Sequence, residues 1–213
     1  AWSPCGTLIA STGTWDGSVR LWDPKGGRQL RVFKGLKNPV GNAAWSPDGR
    51  RLVASSGFSG ELWMWDGEAD DTETVTELGH YITGLHWSPN GLTLAVLSQQ
   101  SPVTLLDMES RQSRKENVRS IGDASTTSFA WSPDGTQLAT GSSAQCTTWD
   151  FATEKEVKKL DGACVSMAWS PDGKQLATAG SRYAVQIWDL ESGKVAAPVP
   201  ASASRLTPRS NGP

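Results

Sequence analysis

The sequence predicts an all-β protein built from five copies of one four-stranded antiparallel unit of about forty residues. Two markers in fixed register carry that prediction. A W-S-P-x-G turn begins at Trp2, Trp45, Trp87, Trp131 and Trp169, at intervals of about 38 to 44 residues. A Trp-Asp pair follows about 18 to 20 residues later at Trp22-Asp23, Trp65-Asp66, Trp149-Asp150 and Trp188-Asp189, and Leu106-Asp107 holds that place in the third copy. Together the markers account for nine of the eleven tryptophans.

The unit is clearest over Val40 to Asp66. In Trp45-Ser46-Pro47-Asp48-Gly49, Pro47 pre-sets φ at the first central position of a type I turn, Asp48 suits the second, and Gly49 releases the chain. A short apolar run ending in Trp45 precedes the turn. Arg51 to Ser56 then alternates apolar and polar residues, the period of a strand. After a loop at Gly57 to Gly60, Leu62 and Met64 point to one face and Trp63 and Trp65 to the other, so a third strand ends at Trp65-Asp66. Thr74 to Leu78 supplies a fourth.

In the first copy, Ala1-Trp2 already stands at the end of an inner strand, and strands follow at Leu8 to Ser11, Val19 to Trp22 and Gln29 to Phe33. Between the first two of these, Thr14-Trp15-Asp16-Gly17 holds an Asp-Gly turn signal that puts Trp15 at a loop tip. In the second copy the acidic stretch Glu68 to Glu73 reads as a solvated linker. The third copy is the most eroded, with a strand at Leu92 to Leu97, Ser101-Pro102 disturbing the next, and a charged outer segment over Arg111 to Val118 that discourages edge pairing. The fourth and fifth copies have matching second strands at Gln137 to Thr140 and Gln175 to Thr178, and outer strands at Thr153 to Leu160 and Lys194 to Ala197. Residues 198–213 are rich in Pro, Ser and Ala and read as a disordered tail.

Such short strands leave each unit with two apolar faces that only neighbouring units can cover, so the units stack around an axis. Burying one tryptophan removes about 150 to 250 Å² from water, a gross gain of ~4 to 6 kcal/mol. The marker tryptophans therefore belong to the packing between units, and Trp131 and Trp169 are both expected to be buried.

These residues resemble the WD-repeat family of β-propellers over residues 1–197, with units starting near residues 1, 40, 82, 126 and 164. Family blades often hold a buried network of His, Ser/Thr, Asp and Trp. Here the Asp position holds Asp16 in the first unit but Ser59, Gln100, Ser143 and Arg182 in the others, and Gly79-His80 is the one Gly-His pair, so no unit keeps the whole network. Relatives mostly close with seven blades, which leaves three readings of five units, in descending order: part of a longer propeller of about seven blades, a ring completed by another polypeptide, or a true five-bladed ring. The first two leave an apolar blade face exposed.

The resemblance implies a non-catalytic scaffold that presents loops to protein or peptide partners within a larger complex. An alternative is an accessory or gating propeller of an enzyme, TolB-like or peptidase-associated, which shares the S-P-D-G turn. The candidate binding residues are Trp15, Phe58, Gln99 and Arg182 in loops between second and third strands, and Asn38, His80 and Tyr81 in loops leading into first strands.

Composition fits this reading. The net charge of −2 gives no electrostatic reason to expect nucleic acid or an anionic membrane as partner. No apolar run reaches the about 18 residues of a membrane span. The histidines, His80 and His86, form no metal motif, and no G-x-S-x-G, P-loop or dinucleotide fingerprint is present, so neither enzyme activity nor a cofactor is expected. Cys5, Cys146 and Cys164 are unpaired by motif, which suits reduced thiols and a cytoplasmic or nuclear location.

Overall fold

A computed structural model describes residues 1–34, 39–56, 59–66, 72–109, 118–180 and 185–199. The described elements are strands, arranged as five antiparallel sheets in chain order. The first blade holds β1 (Ile9–Gly13), β2 (Ser18–Asp23) and β3 (Arg28–Phe33), with Trp2 bridging to Ile9 at its inner edge. The second holds β4 (Val40–Trp45), β5 (Arg51–Ser56), β6 (Glu61–Asp66) and β7 (Thr72–Glu77). The third holds β8 (Ile82–Trp87), β9 (Thr93–Ser98), β10 (Val103–Asp107) and β11 (Val118–Ile121). The fourth holds β12 (Ser128–Trp131), β13 (Gln137–Gly141), β14 (Gln145–Asp150) and β15 (Glu156–Asp161), and the fifth β16 (Ser166–Trp169), β17 (Gln175–Ala179), β18 (Val185–Asp189) and β19 (Lys194–Val199).

The shared turn sets the shape of every blade. In the second, Gly49 N–H donates to Ser46 O at 2.9 Å, Arg51 N–H donates to Ser46 Oγ at 2.9 Å, and the Ser46 hydroxyl donates to Asp48 Oδ1 at 2.5 Å. The serine hydroxyl and backbone N–H groups hold the Asp48, Asp134 and Asp172 carboxyls below the usual carboxylate range. Gly49 has φ +71°, a conformation in which a side chain is strained, and Gly91 and Gly135 repeat the same angle. Successive turns also pack on one another, because a methyl placed on Gly135 would sit 3.3 Å from Pro89 Cδ, and one on Gly91 3.5 Å from Pro47 Cδ. Turn chemistry that is local in sequence thus becomes a spine running from blade to blade.

Alternation within strands divides each sheet between two interfaces. Leu62 and Met64 of β6 join Leu85, Trp87, Leu94 and Leu106 of the third blade, whereas Trp63 and Trp65 join Ala10, Val19 and Phe33 of the first. Three of the turn tryptophans add a polar stitch, because the indole N–H of each donates to a backbone carbonyl of the preceding blade. Trp87 reaches Ala44 O at 3.2 Å, Trp131 reaches His86 O at 3.4 Å, and Trp169 reaches Ala130 O at 3.1 Å.

Three expectations need correction. Trp169 is half-buried, unlike the buried Trp131, and β16 alternates exposed and half-buried positions along its length. The outer strand of the third blade is Val118–Ile121, C-terminal to the expected charged segment, of which residues 111–117 lie outside the described residues. The third blade is also complete and well packed, with β9 buried at every position, so the loss of its Trp-Asp marker did not erode its core. Strand β19 continues to Val199, and residues 200–213 lie outside the described residues.

Candidate partner-binding face

The loop between β1 and β2 is a tight connection, with Gly13 opposite Ser18. Asp16 braces it from within. Its Oδ1 accepts from Ser18 Oγ at 2.8 Å and from Ser18 N–H at 3.2 Å, and its Oδ2 pairs with Arg20. The Ser18 hydroxyl bond, helped by Arg20, keeps the Asp16 carboxyl below its ordinary range. With Gly17 at φ +60° the chain returns to β2, leaving Trp15 at the tip, 100% exposed. A large apolar ring is thereby held in water by a braced turn.

Of the other candidates, His80, Tyr81 and Gln99 converge on the same end of the second and third blades, and all three are exposed. Gln99 N–H donates to Tyr81 O at 2.9 Å, which ties the β9–β10 loop to the chain entering β8. The backbone of His80 packs on Gly60, whose N-terminal neighbours form the β5–β6 loop. A methyl at Gly60 would meet His80 O at 2.6 Å, and Leu78 N–H donates to Gly60 O at 3.0 Å. Gly60 was not singled out from the sequence, because its need to be glycine depends on a chain twenty residues away. Asn38, Phe58 and Arg182 lie outside the described residues.

The face offers an indole, a phenol, an imidazole and a carboxamide, groups that bind by area and hydrogen bonds. Among the described residues no cluster of three or more His, Cys, Asp or Glu could hold a metal ion, and no helix is long and apolar enough to cross a membrane.

Comparison with known proteins follows the same lines. Residues 61–191, more than half of the chain, match the family model described as eukaryotic translation initiation factor eIF2A, and residues 1–23 and 27–66 match the one described as WD domain, G-beta repeat. The β-propeller domain of Myceliophteria thermophila Cps50 (Swd1) has a TM-score of 0.75 to this chain at 17% identity, over 89% of this chain and 64% of that one. A chain of the mitotic checkpoint complex has a TM-score of 0.78 at 26% identity, over 96% of this chain and 67% of that one. The chain belongs to the WD-repeat β-propellers. It spans about two thirds of the length of these two neighbours. No curated protein matches it in sequence.

Seen as WD-repeat blades, the first, fourth and fifth units show the tryptophan half of the family network among the described residues. Trp22 Nε1 donates to Ser11 Oγ at 2.8 Å, Trp149 Nε1 to Thr140 Oγ1 at 2.8 Å, and Trp188 Nε1 to Thr178 Oγ1 at 3.0 Å. Each acceptor lies two residues beyond the tryptophan's cross-strand partner, which is Ile9, Leu138 or Leu176. The same diagonal reaches Ala54 in the second blade, where Trp65 packs on Phe33 with ring centroids 4.9 Å apart.

Proposed function

We propose that this WD-repeat propeller is a non-catalytic scaffold that presents the loop face around Trp15 to a protein or peptide partner within a larger complex. The observation that carries this reading is Trp15 itself. Tryptophan is enriched among residues that anchor interfaces, and one held fully exposed on a braced turn contributes nothing to the core. His80, Tyr81 and Gln99 belong to the same face, and Asn38, Phe58 and Arg182 are assigned to it by their place in the repeat. Two further facts support the reading. One neighbour in structure is a chain of an assembly, the mitotic checkpoint complex. The face is also made of loops on a rigid frame, the usual setting of binding residues.

The test is affinity capture from cells with quantitative read-out, comparing wild type, Trp15→Ala and Tyr81→Ala. The proposal expects proteins that depend on Trp15, with binding weakened by ~2 kcal/mol or more, and a melting temperature within a degree or two of wild type. Undiminished capture by Trp15→Ala, or its failure to fold, would remove Trp15 from the interface.

A further inference from the structure

Two buried thiols meet where the fourth blade packs on the fifth. Cys146 sits in β14, and Cys164 sits eighteen residues later, in the chain that leads into β16. Both are shielded from water, at 1% and 0% exposure, within the apolar cluster that also holds Leu160, Leu176 and Trp188. The backbone around them is tied down. Cys164 N–H donates to Ser142 O at 2.7 Å and Gly162 N–H to Ala144 O at 3.2 Å, so the chain entering the fifth blade runs along the turn between β13 and β14. Ser142 N–H closes that turn on Gln145 O at 2.9 Å, immediately before Cys146.

Gly141 locates the meeting point. It pairs with Cys146 across β13 and β14, which puts their Cα atoms about 4.5 to 5.5 Å apart. From the side of the fifth blade, Cys164 O would lie 2.6 Å from a methyl placed on Gly141, and Ser128 Oγ donates to that same carbonyl at 3.0 Å. Both cysteines therefore abut one residue that has no side chain to come between them. The sulfurs complete the contact, because the Cys146 thiol hydrogen-bonds the Cys164 sulfur, and Cys164 Sγ donates to Ser166 O at 3.5 Å. The bond from Cys146 draws the Cys164 thiol below the ordinary range, which makes Cys164 the readier thiolate of the two. The cover over the pair is thin, since Met167 and Trp169, packed against the cluster, are half-buried and Ser166 is exposed.

We infer that Cys146 and Cys164 form a redox-sensitive clasp: hydrogen peroxide, a two-electron oxidant, joins them in a disulfide that staples the fourth blade to the fifth, and a dithiol reopens it. The Cys164 thiolate attacks one peroxide oxygen, the O–O bond breaks, and the departing hydroxide takes up the proton lost by the thiol, giving a sulfenic acid and one water. The Cys146 sulfur then attacks the Cys164 sulfur, the S–O bond breaks, and the hydroxide leaves with the Cys146 proton as a second water. Two thiols lose two electrons and two protons, and one peroxide becomes two waters. Reduction runs by thiol–disulfide exchange, with the dithiol ending as its own disulfide. Once closed, the bridge restricts the unfolded chain through β15 and so favours the folded state.

The test uses the full-length protein with Cys5→Ser, which leaves the buried pair as it is. The folded, reduced protein is treated with hydrogen peroxide, quenched with catalase, unfolded in iodoacetamide and digested with trypsin without reduction. The peptides Ser120 to Lys155 and Leu160 to Lys174 are expected to be recovered joined through Cys146 and Cys164, lighter than their sum by two hydrogens, with the bridge inside one chain on a non-reducing gel. The oxidised protein is expected to melt at least about 3 °C above the reduced protein, and dithiothreitol to reverse both changes. Neither reading needs a variant of the pair. Recovery of both cysteines alkylated, a bridge that forms only after unfolding in urea, bridges between chains, or a melting temperature not raised by the bridge would each overturn the inference.

Discussion

Cys5 shows how one turn can give chemically similar residues different lives. It occupies the variable position of the first W-S-P-x-G turn, exposed, with its sulfur 2.9 Å from Thr7 Oγ1 and 3.4 Å from Ser3 Oγ. The hydrogen bonds of Ser3 and Thr7 lower its thiol pKa to about 7. Cys146 is buried beside Cys164, and the hydrogen bond between the two thiols, with burial, pushes its pKa up. Because the thiolate is the nucleophile, alkylation of the native protein is expected at Cys5 alone, with a rate midpoint near pH 7 that moves upward in the Ser3→Ala, Thr7→Ala double variant. Peptide mapping after iodoacetamide treatment across a pH series reads both. A second residue-scale prediction concerns Thr140. Thr140→Val keeps the shape but strands Trp149 Nε1, and chemical denaturation should show a loss of about 1 to 2 kcal/mol. The turn residues were legible in the sequence because Pro, Asp and Gly act on their own backbone. Thr140, Ser11 and Thr178 were not, since their partnership with a tryptophan exists only on a diagonal between paired strands and has no fixed spacing along the chain.

At the scale of elements, legibility followed burial. Inner and second strands alternate or are wholly apolar, and β5, β13 and β17 appeared within a residue or so of their observed bounds. Outer strands were placed less well. β11 has three exposed residues out of four, so no face imposes a period, and the charged Arg111 to Lys115 run drew the expected strand N-terminal to its place. Burial also sets how much an element contributes. Trp131 is buried between the third and fourth blades and meets the Phe151 ring edge-on, whereas Trp169 at the equivalent turn is half-buried. Trp131→Ala is expected to cost about 3 to 5 kcal/mol, by lost transfer energy and a residual cavity, and Trp169→Ala distinctly less. Equal shifts of the denaturation midpoint would show that both turns are equally supported and that the half-buried state of Trp169 is irrelevant to folding.

At the scale of the whole molecule, each blade packs on its sequence neighbours through an apolar interface and a Pro-on-Gly turn contact, and the third, fourth and fifth blades add an indole–carbonyl stitch to the blade before. An array held by neighbour contacts is stiff, and its loops vary without disturbing the frame. The repeat was plain in the sequence because its markers are tryptophans in register. The proposed binding face was legible only in part, since Trp15 stands out as an aromatic with no place in the repeat, while the contact of His80 with Gly60 needs the fold to be seen. The central claim, that the Trp15 face meets a protein partner, is tested most directly by in-cell photo-crosslinking. A benzoylphenylalanine residue is placed at position 15 and, in a parallel protein, at position 157 on the exposed outer strand β15. The account predicts discrete, reproducible protein adducts from position 15 and only diffuse background from position 157; indistinguishable adduct patterns from the two positions would contradict it.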